Sequence, residues 1–176
     1  MRRHLGPRVA ALALLLLALA SSASAAPAWK EFRSKEGGFE VLLPVAPKIR
    51  SEAPDMSGGV ANVFTADLGS TAYVVSYTDY QPGTFAGRSP ELIYNVARND
   101  LVKGQPVKLL ADRKVAVSGR DGREVIFSDK EGYTQVYRFL VVKDRLYAVI
   151  SGGPLNHEKS AEVRRFFASF KLTAAH

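Results

Sequence analysis

Tyr133-Thr134-Gln135-Val136-Tyr137-Arg138-Phe139-Leu140-Val141-Val142 runs into Lys143-Asp144 and out again through Arg145-Leu146-Tyr147-Ala148-Val149-Ile150-Ser151. Both runs are rich in β-branched and aromatic residues. Only two residues separate them, so they form an antiparallel hairpin. Apolar residues occupy both alternation sets, which places the pair at the centre of a sheet with both faces covered.

Upstream, residues 107–117 and 123–128 read as two more strands, joined through Gly119–Gly122 and closed onto the hairpin by residues 129–132. Connections this short keep neighbours antiparallel. Residues 60–68 and 71–78 form a further hairpin around Gly69-Ser70. Phe39-Glu40-Val41-Leu42-Leu43 is a strand that Pro44 ends, because proline cannot donate into a ladder. Residues 44–58 and 79–88, rich in proline and glycine, read as loops.

Two helices interrupt the strands. Ser89-Pro90-Glu91 supplies an N-cap, a first-position proline and a first-turn acid; Leu92, Ile93, Val96, Ala97 and Leu101 recur at helical spacing up to Gly104. A last helix is expected over residues 157–170, with Val163, Phe166, Phe167 and Phe170 as its apolar stripe. Strands grouped between helices indicate an α+β architecture: an antiparallel sheet of about six to seven strands flanked by helices.

The stretch Glu36-Gly37-Gly38-Phe39-Glu40-Val41-Leu42-Leu43-Pro44, with Pro47-Lys48 beyond it, resembles the opening strand of small exported bacterial domains in the Mog1p/PsbP-like superfamily. Gly119-Arg120-Asp121-Gly122-Arg123-Glu124, Val141-Val142-Lys143-Asp144-Arg145-Leu146-Tyr147 and Phe166-Phe167-Ala168-Ser169-Phe170-Lys171-Leu172 follow in the same order. The resemblance covers residues 29–172. It implies a Mog1p/PsbP-like α/β/α sandwich. Members include photosystem II accessory subunits, a nuclear-transport factor that binds a small GTPase, and bacterial envelope proteins. They share binding, not a reaction, and no defined site carries over.

The N-terminus reads as a secretory signal. Arg2, Arg3 and Arg8 precede an apolar run over residues 9–20, and small residues follow. As a helix that run would reach about 18 Å, short of a hydrocarbon core of about 30 Å. Residues 1–25 are therefore expected to be removed after Ala25, with residues 26–36 as an arm carrying Trp29 and Phe32, and residues 37–176 as a single domain. The expected destination is the periplasm, or the exterior, with no integral membrane anchor. Three arginines leave with the signal, so 24 basic residues become 21 against 17 acidic ones, a net of +4. That charge suits solubility and does not point to nucleic acid.

Catalytic chemistry finds little support. The chain has no cysteine, which excludes disulfides, thiolate metal sites and a cysteine nucleophile. His157, beside Asn156 and Glu158, reads as an exposed helix-start residue, and His176 ends the chain. Asp55, Asp67 and Asp79 are scattered, while Asp121 and Asp129 sit at turns. No metal or cofactor site is nominated, and none of the glycine pairs has phosphate-loop spacing.

One constellation has chemical content. A two-residue turn at Lys143-Asp144 pairs Val142 with Arg145, Leu140 with Tyr147 and Arg138 with Val149. A second tight turn at Glu131-Gly132 would add Arg123 to the same face. Arg123, Arg138, Arg145 and Tyr147 would then face a carboxylate or phosphate together. The competing reading has these arginines solvated or paired with acids such as Glu124. Trp29, Phe32, Tyr77, Tyr80, Tyr133 and Tyr137 either pack the sheet or dock a partner.

The expected function is that of an exported, non-enzymatic accessory module working by contact with an envelope protein. The alternative is a carrier or sensor of a small anionic or amphipathic ligand. An internal cavity with convergent polar groups would favour the carrier; a filled interior with an exposed apolar patch would favour the module.

Overall fold

The computed structural model describes residues 28–52 and 58–173. The expected signal segment and its cleavage point near Ala25 lie outside them. The strands are β1 (Lys30–Ser34), β2 (Phe39–Leu43), β3 (Lys48–Ser51), β4 (Val60–Asp67) and β5 (Ala72–Asp79). Helix α1 (Pro90–Val102) precedes β6 (Lys108–Val117), β7 (Arg120–Ser128), β8 (Thr134–Val142) and β9 (Arg145–Gly153). A 3-10 turn (His157–Lys159), α2 (Ala161–Ser169) and β10 (Lys171–Leu172) complete the order.

Seven strands form one antiparallel sheet in the order β3-β4-β5-β9-β8-β7-β6, and a small sheet, β1-β2-β10, lies apart from it. The architecture is α+β, as the strand grouping implies. Its centre is the β8–β9 hairpin, with Val142 opposite Arg145 and Leu140 opposite Tyr147.

The small sheet and α2 cover one face of the large sheet. Phe39 meets Phe64 and Phe170 with ring centroids 5.3 and 5.8 Å apart, and Tyr73 meets Phe166 at 5.1 Å. Tyr147 is fully buried among them, and its hydroxyl donates to the Gly37 carbonyl at 2.8 Å, joining the two sheets. On the other face α1 packs against β7 and β8, burying Tyr94 over Val125, Phe127 and Phe139.

Coverage of that second face is partial. Beyond α1, the side chains of Val74 and Ile150 on β5 and β9 are only half-buried. The expectation of a sheet covered on both sides therefore holds over β7 and β8 and weakens toward β5.

Four local readings change. The arm over residues 26–36 contains β1, which pairs with β2 from Lys30↔Leu43 to Ser34↔Phe39 and docks Trp29 on Tyr73 at 5.1 Å. The loop over residues 44–58 contains β3, a short edge strand with every residue exposed. The β6–β7 connection is the pair Ser118-Gly119, both at positive φ (51° and 72°), so β7 begins earlier than expected. The last helix starts later than expected, at the cap Ser160, whose hydroxyl accepts the Val163 amide at 3.1 Å.

Candidate functional site

The expected arginine face does not assemble as one unit. Arg138 lies opposite Val149 and Arg145 opposite Val142, as the Lys143-Asp144 turn requires. Arg123, however, lies opposite Phe139, and Glu124 takes the place opposite Arg138. The β7–β8 loop is closed by the Asp129 amide on the Tyr133 carbonyl at 3.0 Å, leaving three residues in the loop instead of two. Gly132 supplies the positive φ (84°) that such a loop needs. One extra residue shifts the register by one and sends Arg123 to the α1 face.

Each of these arginines is already engaged. Arg145 grips Asp79 with two bonds of 2.5 and 2.8 Å, donates to the Glu36 carbonyl at 3.0 Å, and lies 4.4 Å over the Tyr77 ring. Arg138 donates to Glu124 at 2.8 Å and sits 4.4 Å over the Phe167 ring. Arg113 holds the other Glu124 oxygen at 2.9 and 2.5 Å. Arg123 pairs with Asp112, which also takes a 2.5 Å bond from Arg98. The Arg123 hydrogen bond, opposed by burial and assisted by Arg98, holds the Asp112 carboxyl below the usual carboxylate range. The set knits strands and layers together.

His157 is also placed differently from expectation. It is buried, and its Nε2 lies 2.6 Å from the Ser151 hydroxyl, which is itself fully buried. Gly153 backs the imidazole so closely that a Cβ there would stand 2.5 Å from the ring. Serine and histidine are thus both packed into the interior.

An open groove lies on the other face, beside α1. Ser89 caps the helix by accepting the Leu92 amide at 3.3 Å. Tyr94 fixes its height over the sheet: the hydroxyl donates to the Asp121 carbonyl at 3.2 Å and accepts the Val141 amide at 3.1 Å. This orientation buries Ile93 and Tyr94 and leaves Leu92 51% and Val96 53% exposed. Leu146 of β9 forms part of the lining, and the Tyr80–Phe85 ring pair, 4.8 Å between centroids, supplies the opposite wall.

Asp144 builds that wall. Its two carboxylate oxygens accept the Gly83 and Phe85 amides, each at 2.8 Å, and its carbonyl accepts the Tyr80 amide at 2.9 Å. These bonds hold the Asp144 carboxyl below the usual aspartate range. The groove has a volume of about 600 Å³, and Arg88 and Asp100 are the ionisable groups in its lining. Its walls are apolar, and neither charge has an ion-pair partner among the described residues.

Periodicity places Leu92 and Val96 in an apolar stripe without showing that they stay uncovered. One signal was available. At about 100° per residue, Leu92, Val96, Ile93, Ala97, Leu101 and Tyr94 span roughly 200° of helix circumference, about twice the arc one core contact needs. The surplus flank lines the groove.

Among the described residues there is no cluster of three or more metal-ligating side chains, and no helix is long and apolar enough to cross a membrane. No family model matches the sequence, and no curated protein matches it. Solved structures do match. The solution structure of cyanobacterial PsbP (CyanoP) from Synechocystis sp. PCC 6803 aligns with a TM-score of 0.58 at 14% identity, over 83% of this chain and 93% of that one. A crystal structure from Bacteroides thetaiotaomicron aligns at 13% identity with a TM-score of 0.49, over 81% of this chain and 48% of that one. A protein of unknown function from Pseudomonas aeruginosa gives 14% and 0.40, over 77% and 92% of the two chains. At these identities the likeness concerns architecture, and the chain has the Mog1p/PsbP-like fold that its motifs resemble.

Proposed function

We propose that this chain is an exported, non-enzymatic binding module that works through protein–protein contact, with the α1 groove as its contact surface. The observation that carries the reading is the exposed flank of α1. Leu92 and Val96 present apolar surface beside a second apolar wall, while the core beneath is filled. Contiguous exposed apolar surface rimmed by polar groups is characteristic of interaction sites. α1 sits over β7 and β8, and beyond it the same sheet face is only partly covered, with Val74 and Ile150 half-buried.

A second reading keeps the groove and changes the occupant. Its volume of about 600 Å³ falls in the range of ligand sites, and Arg88 at the rim would face an anionic head group. Arg123, Arg138 and Arg145 are engaged elsewhere and do not support this version.

A photocrosslinking side chain at Leu92, with Arg164 on the exposed side of α2 as control, tests the proposal in the producing cells. A defined protein adduct at position 92 alone, lost when Val96→Asp is added, supports it. Equal labelling at both positions, or adducts only with a small molecule, overturns it.

A further inference from the structure

We infer that β6 is an open edge on which an extended, acidic segment of a partner protein adds as a further strand of the large sheet. This surface is separate from the α1 groove. β6 ends the strand order, and among the described residues it pairs with β7 alone. Its ten residues span about 33 Å. Edges are commonly kept short or covered, as β3 is at the other end of the sheet with four residues. β6 is neither short nor covered, and six of its ten residues are exposed.

The strand is ready to pair. Its bulge lies toward one end, where Leu110 is the extra residue between the pairs Leu109–Phe127 and Ala111–Ile126. Regular pairing then runs without interruption from Ala111 to Val117. Side-chain bonds pin that stretch from both faces: Asp112 to Arg98 of α1 at 2.5 Å, and Arg113 to Glu124 of β7 at 2.9 and 2.5 Å. A rigid edge loses little freedom when a strand adds, and the main-chain bonds supply the affinity. Leu109 and Leu110, 49% and 46% exposed, offer apolar contact beside the regular stretch.

Charge decides the occupant. β6 and β7 carry five basic residues and three acidic ones. Two of those acids are shared: Asp112 serves Arg98 and Arg123, and Glu124 serves Arg113 and Arg138. Each cluster therefore retains a positive charge. Arg113 and Lys114 remain 63% and 75% exposed, and the Glu91 that meets Lys114 at 3.1 Å is itself exposed, so that pair exchanges at little cost. A second copy of β6 is disfavoured, because antiparallel pairing centred on the regular stretch sets Lys114 opposite Lys114. An acidic strand is favoured. Arg113 and Lys114 are consecutive and project to opposite faces, so two consecutive acidic residues on the added strand meet one cation on each face.

The probe is a ten-residue valine–threonine peptide with two consecutive central glutamates, at millimolar concentration with the mature chain. Amide hydrogen exchange read by NMR should slow by about tenfold or more at alternate β6 amides, those not bonded to β7, and stay unchanged along β3. The same peptide N-methylated at alternate amides, or with lysines for its glutamates, should give no protection. Lys114→Glu should weaken binding by about tenfold while exchange in β8 and β9 shows the fold intact, and Leu92→Asp should bind as the wild type does. No protection on β6, equal binding of the N-methylated or lysine peptide, or unchanged binding by Lys114→Glu overturns the inference. Loss of binding in Leu92→Asp also overturns it, since the peptide would then lie in the α1 groove.

Discussion

The Asp144 carboxylate accepts the Phe85 amide at 2.8 Å, joining the turn of the central hairpin to a loop 59 residues earlier in the chain. That bond, with its companion to Gly83, makes the 80–88 segment a groove wall. Asp144→Ala should release the loop without disturbing the sheet. Hydrogen exchange at the Gly83 and Phe85 amides should accelerate by at least about tenfold, while amides of β8 and β9 keep their protection. The sign of the pH effect follows from the lowered carboxyl pKa. The attachment is fully present above the unfolded aspartate range and is lost as pH falls through the lower, folded value.

His157 carries a second pH dependence. Burial pushes its pKa below the usual imidazole value, and nearby Glu158 and Glu162 only partly oppose this. The unfolded chain therefore takes up a proton first, and stability falls as pH drops below about 6.5. Thermal unfolding between neutral and mildly acidic pH should show this slope, and His157→Gln should flatten it.

Glu124 is nearly fully buried between Arg113 and Arg138. Glu124→Ala strands a partly buried guanidinium at Arg138. Removing one member of a fully buried pair costs about 3–5 kcal/mol, and the exposure of Arg113 reduces that here to about 2–3 kcal/mol. Urea denaturation should also show Arg138→Ala to be clearly destabilising and Arg113→Ala to cost less than about 1 kcal/mol.

Neighbouring residues on α1 should behave in opposite ways. Leu92→Asp and Val96→Asp alter exposed flank positions and should change stability by no more than about 0.5 kcal/mol while abolishing groove contacts. Ile93→Ala empties a core position, 8% exposed, and should cost about 2–4 kcal/mol. Calorimetry beside a crosslinking assay separates the two classes.

The central hairpin, the β4–β5 hairpin and the capped α1 were legible because each carries a local signal: period-two apolar runs, a glycine turn, a Ser-Pro-Glu cap. β1 and β3 were not, since Lys30–Ser34 and Lys48–Ser51 are short, mostly polar edge strands whose pairing comes from β2 and β4. Arg123 was misplaced by one residue of loop length, and in a strand one residue decides the face. Gly132, in the third place of the loop, was the readable signal for the longer turn. Burial of His157 depended on Ser151 and Gly153, which helical periodicity around position 157 does not include. The groove could be inferred only in outline, because the width of an apolar stripe does not say which part the sheet covers.

The most direct test of the α1 groove as a protein-contact surface is native mass spectrometry of the mature chain, purified gently from the cells that make it, beside its Leu92→Asp/Val96→Asp variant. The wild type should carry a second polypeptide, and the variant should fly as a folded monomer. Identical spectra for the two, or a wild type loaded with a small molecule and no polypeptide, would contradict the account.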